Sequence, residues 1–316
     1  MADQKSSTNL ESYEALPYGN CLLPHIHPDR LATLATLFGM HPPPPERCRV
    51  LELGCADGAN LIAMAQALPE SEFLGVDFSA SSIAEGQRVV TSAGLKNISM
   101  IHSNLLDLKT DAARYGFQFL TEADFPVCSS NIPTEAESWM EQWSRDAIQF
   151  GQYRDFLTNR MFRRSLLCRR EIRLKDHPQP ERLVDLHFST KAQSVSNQPD
   201  FASRAEESFR APDGSAFTTT DPLCKAAMVH LVEVNPRVVP FNALLLEARR
   251  LLGQNEPRFQ RGKPVSPSSV AVDEARLLAG ELFRIYSMNE HLVKLHACAP
   301  RMVVEVSEHP MARRNP

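Results

Sequence analysis

One turn constrains this chain more than any other feature: LELGCADGAN, Leu51 to Asn60. The apolar run RVLEL enters it, and the helical pattern LIAMAQALP leaves it and stops at Pro69. Gly54 permits a tight turn, and Gly58 lets the backbone come close to a ligand at the start of the helix. Backbone N–H groups in such a turn can bind a carboxylate or a phosphate. EFLGVDFS is a second strand with Asp77 at its end, and ISMIHSN, Ile98 to Asn104, is a third. Between them SIAEGQRVVTSAG reads as a helix, with Ser82 and Glu85 as a capping box and Gly94 as its stop. Strand–helix–strand–helix–strand over residues 49–104 predicts a right-handed parallel α/β unit.

Two carboxylates flank the turn. Asp77 stands where an acid can accept hydrogen bonds from the ribose hydroxyls of an adenine nucleoside. Glu52 precedes Gly54 by two residues, and an acid there suits a cationic ligand. A dinucleotide fold asks for G-x-G-x-x-G, whereas the glycines here are spaced Gly54-x-x-x-Gly58. That spacing, and the acid beside it, disfavour a dinucleotide-dependent oxidoreductase.

On these residues the stretch resembles the first motif of class I S-adenosylmethionine-dependent methyltransferases, acid-x-Gly-x-Gly-x-Gly. It stands here as Glu52, Gly54, Ala56 and Gly58, with alanine at the middle glycine. The resemblance implies S-adenosylmethionine as cofactor, bound by Glu52, Gly54, Cys55, Ala56, Gly58, Asp77, Phe78, Asn104 and Leu105. Glu52 would serve the amino-acid end, Asp77 the ribose, and the segment His102 to Leu105 the adenine. Asn104 stands where many relatives have Asp, and its amide oxygen can still accept from the adenine amino group.

SYEALPYGNCLLPHIHPDRLATLATLFGM leads into this motif, and FQFLTEADF, QYRDFLTNRMFRRSLLC, FTTTDPLCKAAMVHLVEV and HACAPRMVVEVSEHP follow it. In that order they resemble a bacterial group in which a methyltransferase domain precedes a methyltransferase regulatory domain. Rickettsial-type protein lysine methyltransferases belong to that group. The implied fold class is α/β: a partial Rossmann-like methyltransferase sheet, then a mostly helical, winged-helix-like α+β domain. The expected division is an entry segment over 1–46, a cofactor-binding domain over 47–110, a linker over 111–133 and a regulatory domain over 134–310. A protein lysine is the implied methyl acceptor.

The chain departs from the family after the third strand. NLLDLKTDAARYG runs into the regulatory stretch where the family has a fourth strand with acceptor-side residues. Without it the first strand becomes an edge carrying Val50, Leu51 and Leu53, where a like or unlike chain could dock. Impaired transfer is expected, and a non-catalytic binding or interaction module is the alternative. Methyl transfer needs a positioned acceptor more than a strong acid or base, and no catalytic residue is singled out.

The remainder narrows the class. The 316 residues carry 34 Lys+Arg against 38 Asp+Glu, a net charge of −4, so nucleic acid is not the expected partner. No uncharged apolar run reaches about 18 residues, and no signal-peptide core stands at the N-terminus, so a cytoplasmic location is expected. The seven scattered cysteines, without a CxxC, read as free thiols. His25-x-His27 lacks further ligands and reads as two loop histidines rather than a metal site. HPDRLATLATLFG reads as a helix, and the helical patterns from Thr134 include FTTTDPLCKAAMVHLVEV, FNALLLEARRLLG and DEARLLAGELFRIYS. YGFQFL, RRSLLCRREIRLK, HLVKLHA and MVVEV are short-strand candidates, and SVSNQPDFAS is a loop. Trp139 and Trp143, at i and i+4, are expected as a core stripe, and the basic Arg160–Lys175 stretch as a solvated face.

Overall fold

The alternation expected over residues 49–104 is present in the computed structural model, which describes residues 22–104, 117–123, 134–145, 147–158, 165–175, 177–200, 203–253 and 267–300. Strand β1 (Arg49–Leu53), helix α2 (Ala59–Ala67), strand β2 (Glu72–Asp77), helix α3 (Ala80–Ser92) and strand β3 (Ile98–His102) follow helix α1 (Pro28–Leu37). The sheet is parallel in the order β1-β2-β3. The described residues divide into two compact units. One holds those of 1–32, 41–116 and 300–316, the other 33–40 and 117–299.

In the first unit the core is Leu61, Met64 and Ala65 of α2 and Ile83 of α3 against Phe73, Ile98 and Met100. These residues lie on one face of the sheet. The opposite face carries the row Leu53–Val76–Ile101, in register across three strands. Leu51 and Leu53 are each 49% exposed and Ile101 is 46% exposed. Parallel sheets are normally covered on both faces, so this apolar exposure is unusual. Among the described residues β1 pairs only with β2, which makes it the edge strand expected from the missing neighbour.

Helix α3 does not start with the expected capping box. Its cap is Ser79, whose Oγ accepts the Ser82 N–H at 3.2 Å. Glu85 pairs instead with Arg88 one turn on. The helix begins earlier because Asp77 and Ser79 together satisfy the amides of its entry.

In the second unit β4 (Phe117–Glu122) pairs antiparallel with β5 (Ser165–Arg169). Both were expected as strands, and β4 lies within the stretch expected as linker. Helices α4 (Thr134–Trp143) and α5 (Ala147–Thr158) lie between them in sequence and pack on each other. Strand β6 (His187–Ser189) sits between β10 (Val239–Pro240) and β11 (Lys294–His296). A meander of β7 (Gln193–Ser194), β8 (Glu207–Arg210) and β9 (Ala216–Thr219) was not foreseen. Phe217 to Thr219, expected as the start of a helix, belong to β9. The helix α6 (Pro222–Val234) starts after it, where Asp221 Oδ1 accepts the Cys224 N–H at 2.7 Å. Pro212-Asp213-Gly214 between two alternating runs is the hairpin signal that marks this meander. Helices α7 (Phe241–Leu251) and α8 (Pro267–Met288) complete a core of Phe188, Phe209, Leu231, Phe241 and Tyr286. MVVEV falls outside the described residues.

Lys225 is the unexpected member of that core. It is fully buried, and its ammonium donates to the carbonyls of Asp200, Ser203 and Ala205 at 2.7, 2.6 and 2.9 Å. Trp139 and Trp143 form no core stripe: they are 68% and 65% exposed, and Met140 is the buried residue of α4. The helix turns Met140 inward and leaves the tryptophan pair outside.

Candidate functional site

The β1–α2 loop is built from left-handed residues. Gly54, Ala56 and Gly58 have φ of +75°, +50° and +74°. Such angles cost little for glycine and about 1 kcal/mol or more for alanine, so Ala56 needs a restraint. Asp77 supplies it, its Oδ2 accepting the Ala56 N–H at 2.8 Å. Its Oδ1 accepts the Ser79 N–H at 2.8 Å. The end of β2 thus holds both the glycine loop and the start of α3.

The loop amides are turned inward. Gly54 N and Cys55 N both donate to the Val76 carbonyl, at 2.8 and 3.2 Å, and Gly58 N donates to the Cys55 carbonyl at 2.8 Å. Ala59 N donates to Asp57 Oδ1 at 3.2 Å. The expectation that this loop offers its N–H groups to a phosphate or carboxylate is therefore corrected at Gly54, Cys55, Ala56 and Gly58. The chain needs those donors to close the turn.

What faces outward is different. A Cβ added at Gly54 would meet no atom within 4 Å, so the backbone there borders open space. Glu52 Oε2 is buried without a hydrogen-bond partner among the described residues. Burial pushes the Glu52 carboxyl up from its usual range. A carboxylate in that condition gains most from a cationic partner. Cys55 turns its side chain into the core, where burial, with Asp77 and Glu52 adding to it, pushes the thiol up to about 12. It is a protonated packing residue and no nucleophile.

The third strand is tied to the second. Ser103 N donates to the Asp77 carbonyl at 2.9 Å, and His102 Nε2 lies 3.0 Å from the Phe78 carbonyl. The Phe78 and His102 rings are 6.4 Å apart, centre to centre. Leu23 N donates to Asn60 Oδ1 at 2.8 Å, fastening the entry segment to the first turn of α2. Glu52, Gly54, Ala56, Gly58, Asp77, Phe78 and Asn104 thus all belong to one unit, while Leu105 lies outside the described residues. The sequence reading missed Ser79 and Gly86. Gly86 lies against the Asp57 carbonyl and Met100, so no larger residue lets α3 approach the loop this closely. No group of three or more metal-ligating side chains occurs among the described residues. His27 Nδ1 accepts the Asp29 N–H instead, at 3.2 Å.

Comparison with known proteins agrees with this geometry. Residues 45–131 match the family described as a methyltransferase domain, and residues 102–169 match the predicted methyltransferase regulatory domain. An uncharacterized protein of Rickettsia prowazekii is 33% identical over 141 residues, 45% of this chain and 51% of that protein. A second one is 33% identical over 139 residues, 40% of this chain and 25% of its own length. The chain therefore spans about half the length of one of these relatives and a quarter of the other. The ribosomal RNA small subunit methyltransferase G of Chlorobium luteolum is 38% identical over 107 residues, 29% of this chain and 45% of that enzyme. The structure of PKMT2 from Rickettsia typhi, also solved in complex with AdoHcy, superposes with a TM-score of 0.73 at 18% identity. The superposition covers 92% of this chain and 80% of that one, and it establishes a shared fold.

Proposed function

We propose that this chain, a methyltransferase-family protein carrying a methyltransferase regulatory domain, holds S-adenosylmethionine at the β1–β2–β3 edge and serves methyl transfer to a protein lysine. One observation carries the reading: Glu52 Oε2, buried and unpartnered among the described residues, lies two residues before a glycine loop whose amides are spent on β2 and on the loop itself. A phosphate-bearing dinucleotide would find few donors there. A ligand with an ammonium and a sulfonium would find the carboxylate it needs. The PKMT2 complex with AdoHcy supports the same choice.

The residues divide the ligand between them. Glu52 receives the ammonium. Asp77 has lone pairs left after its two backbone bonds, and these accept the ribose hydroxyls. Gly54, Cys55, Ala56 and Gly58 form a backbone wall, and Phe78, Asn104 and Leu105 border the adenine. The cofactor supplies a methyl group on a sulfonium for in-line displacement. The protein's own task is to hold an acceptor in line.

The acceptor is a protein side chain, and the open edge of β1 is where an added strand completes the acceptor side. The second unit, which includes the β4–β5 pair, is the part we read as regulatory. Alone, the chain binds S-adenosylmethionine and transfers methyl groups near background. No helix among the described residues is long and apolar enough to cross a membrane.

Isothermal titration with S-adenosylmethionine and NAD tests the reading. Heat with the first and none with the second is expected. Saturable NAD binding, or silence towards both, would overturn it.

A further inference from the structure

The tryptophan pair that the core leaves outside lines a groove of about 560 Å³ between α4 and α5. Trp139, Trp143, Tyr153 and Phe156 supply aromatic surface and Met140 is buried beneath them; the lining is almost wholly apolar, and Glu135 borders it one helical turn before Trp139. The two indoles stack with centres 6.4 Å apart and planes 24° from parallel, and Phe156 is 85% exposed. Glu135 has no hydrogen bond or ion pair among the described residues. Helix α4 carries Glu135, Glu137 and Glu141 and no lysine or arginine. The Arg154 side chain of α5 is not part of the lining.

We propose that this groove binds a methylated ammonium group, the side chain of a methylated lysine on a protein. Its wall is aromatic and apolar, and the one acidic residue beside it, Glu135, shares the helix stripe of Trp139 and Trp143. Indole faces attract cations through their quadrupole, best when the cation lies within about 6 Å of the ring centre. A bare ammonium holds its water too strongly to enter an apolar groove, whereas methyl groups lower that hydration and add apolar contact. The acidic α4 supplies the opposite charge. A groove of this volume takes a lysine-length side chain together with part of the peptide bearing it. A second copy is the poorer occupant, because its own acidic α4 would be brought against this one. The identity of the ligand as a product of the chain's own reaction rests on the function proposed above; the selectivity for methylated ammonium does not.

The test uses a convenient fact: Trp139 and Trp143 are the only tryptophans in the chain, so fluorescence excited selectively at tryptophan, beyond the absorption of the tyrosines, reports this groove alone. Choline and its neutral isostere 3,3-dimethylbutan-1-ol are titrated into the full chain, followed by a trimethyllysine peptide and its unmodified form. Choline should bind about three- to ten-fold tighter than the alcohol, and the methylated peptide tighter than the unmodified one by a similar factor. Glu135→Gln should shrink the choline preference while far-ultraviolet dichroism stays unchanged. Equal responses to choline and the alcohol, or none to either, would overturn the proposal. So would a fluorescence change that follows protein concentration alone, with a doubled sedimenting mass, since a second copy then fills the groove. Titration of S-adenosylmethionine on the same sample separates the two ideas: its failure with choline selectivity intact removes the proposed reaction and leaves the groove standing.

Discussion

Asp77 holds Ala56. The carboxylate at the end of β2 accepts the amide of a non-glycine residue at φ +50°, across the turn that begins α2. The side chain proposed to meet the ribose is also the one that keeps the glycine loop in shape. This dual use makes Asp77 the most informative position in the chain.

Replacing Asp77 by alanine should cost about 2–4 kcal/mol of S-adenosylmethionine affinity, about 30- to 1000-fold, by titration calorimetry. It should also raise amide exchange at residues 54–58, because Ala56 and Ser79 lose their acceptors. Unchanged affinity would take Asp77 out of the site. Changed affinity with unchanged exchange would leave only the ribose role.

Gly54 and Gly94 form a matched pair. Both have positive φ, +75° and +66°, and neither would bring an added Cβ within 4 Å of another atom. Each alanine substitution should therefore cost about 1 kcal/mol of stability. Only Gly54→Ala should also weaken S-adenosylmethionine, since only that Cβ would enter the ligand space. Equal affinities for the two variants would place the ligand elsewhere.

Glu52 should set the pH dependence of S-adenosylmethionine binding. Burial raises its folded pKa, so its ionised form is penalised above that pKa and the penalty lifts as pH falls through it. A cationic ligand prefers the ionised form. Affinity should therefore rise with pH through the raised Glu52 pKa and level off above it, with a proton released on binding. Glu52→Gln should flatten the profile and lower affinity about 10- to 100-fold. The check is calorimetry in buffers of different ionisation enthalpy.

Lys225→Met should cost about 3 kcal/mol or more in urea unfolding, since three backbone carbonyls lose their buried donor. S-adenosylmethionine affinity should stay the same, because Lys225 and the glycine loop belong to different units. A near-neutral substitution would mean that water replaces the ammonium.

Much of the first unit was legible because its determinants are local. Strand length, the Gly54–Gly58 spacing and the position of Asp77 are set by neighbours in the chain, and β1, α2, β2, α3 and β3 follow them. That β1 pairs only with β2 among the described residues accords with the expectation drawn from the absence of a following strand in the sequence. The capping box failed because Ser79 and Ser82 compete for one helix start, and Asp77 decides between them through space. The β7–β9 meander was missed although Asp213-Gly214 marks its turn, since the runs beside it are only four residues long.

By itself the sequence determined the parallel α/β unit, the two acids beside the glycine turn and the stretch of regulatory-domain type. These depend on residue types at short separations, where chain geometry leaves few choices. Only the tertiary structure decided that the loop amides turn inward, that Glu52 Oε2 has no partner among the described residues, that Lys225 is buried and that the tryptophans are not. Each of those outcomes depends on which distant segment removes water from a group, and periodicity along the chain carries no record of that.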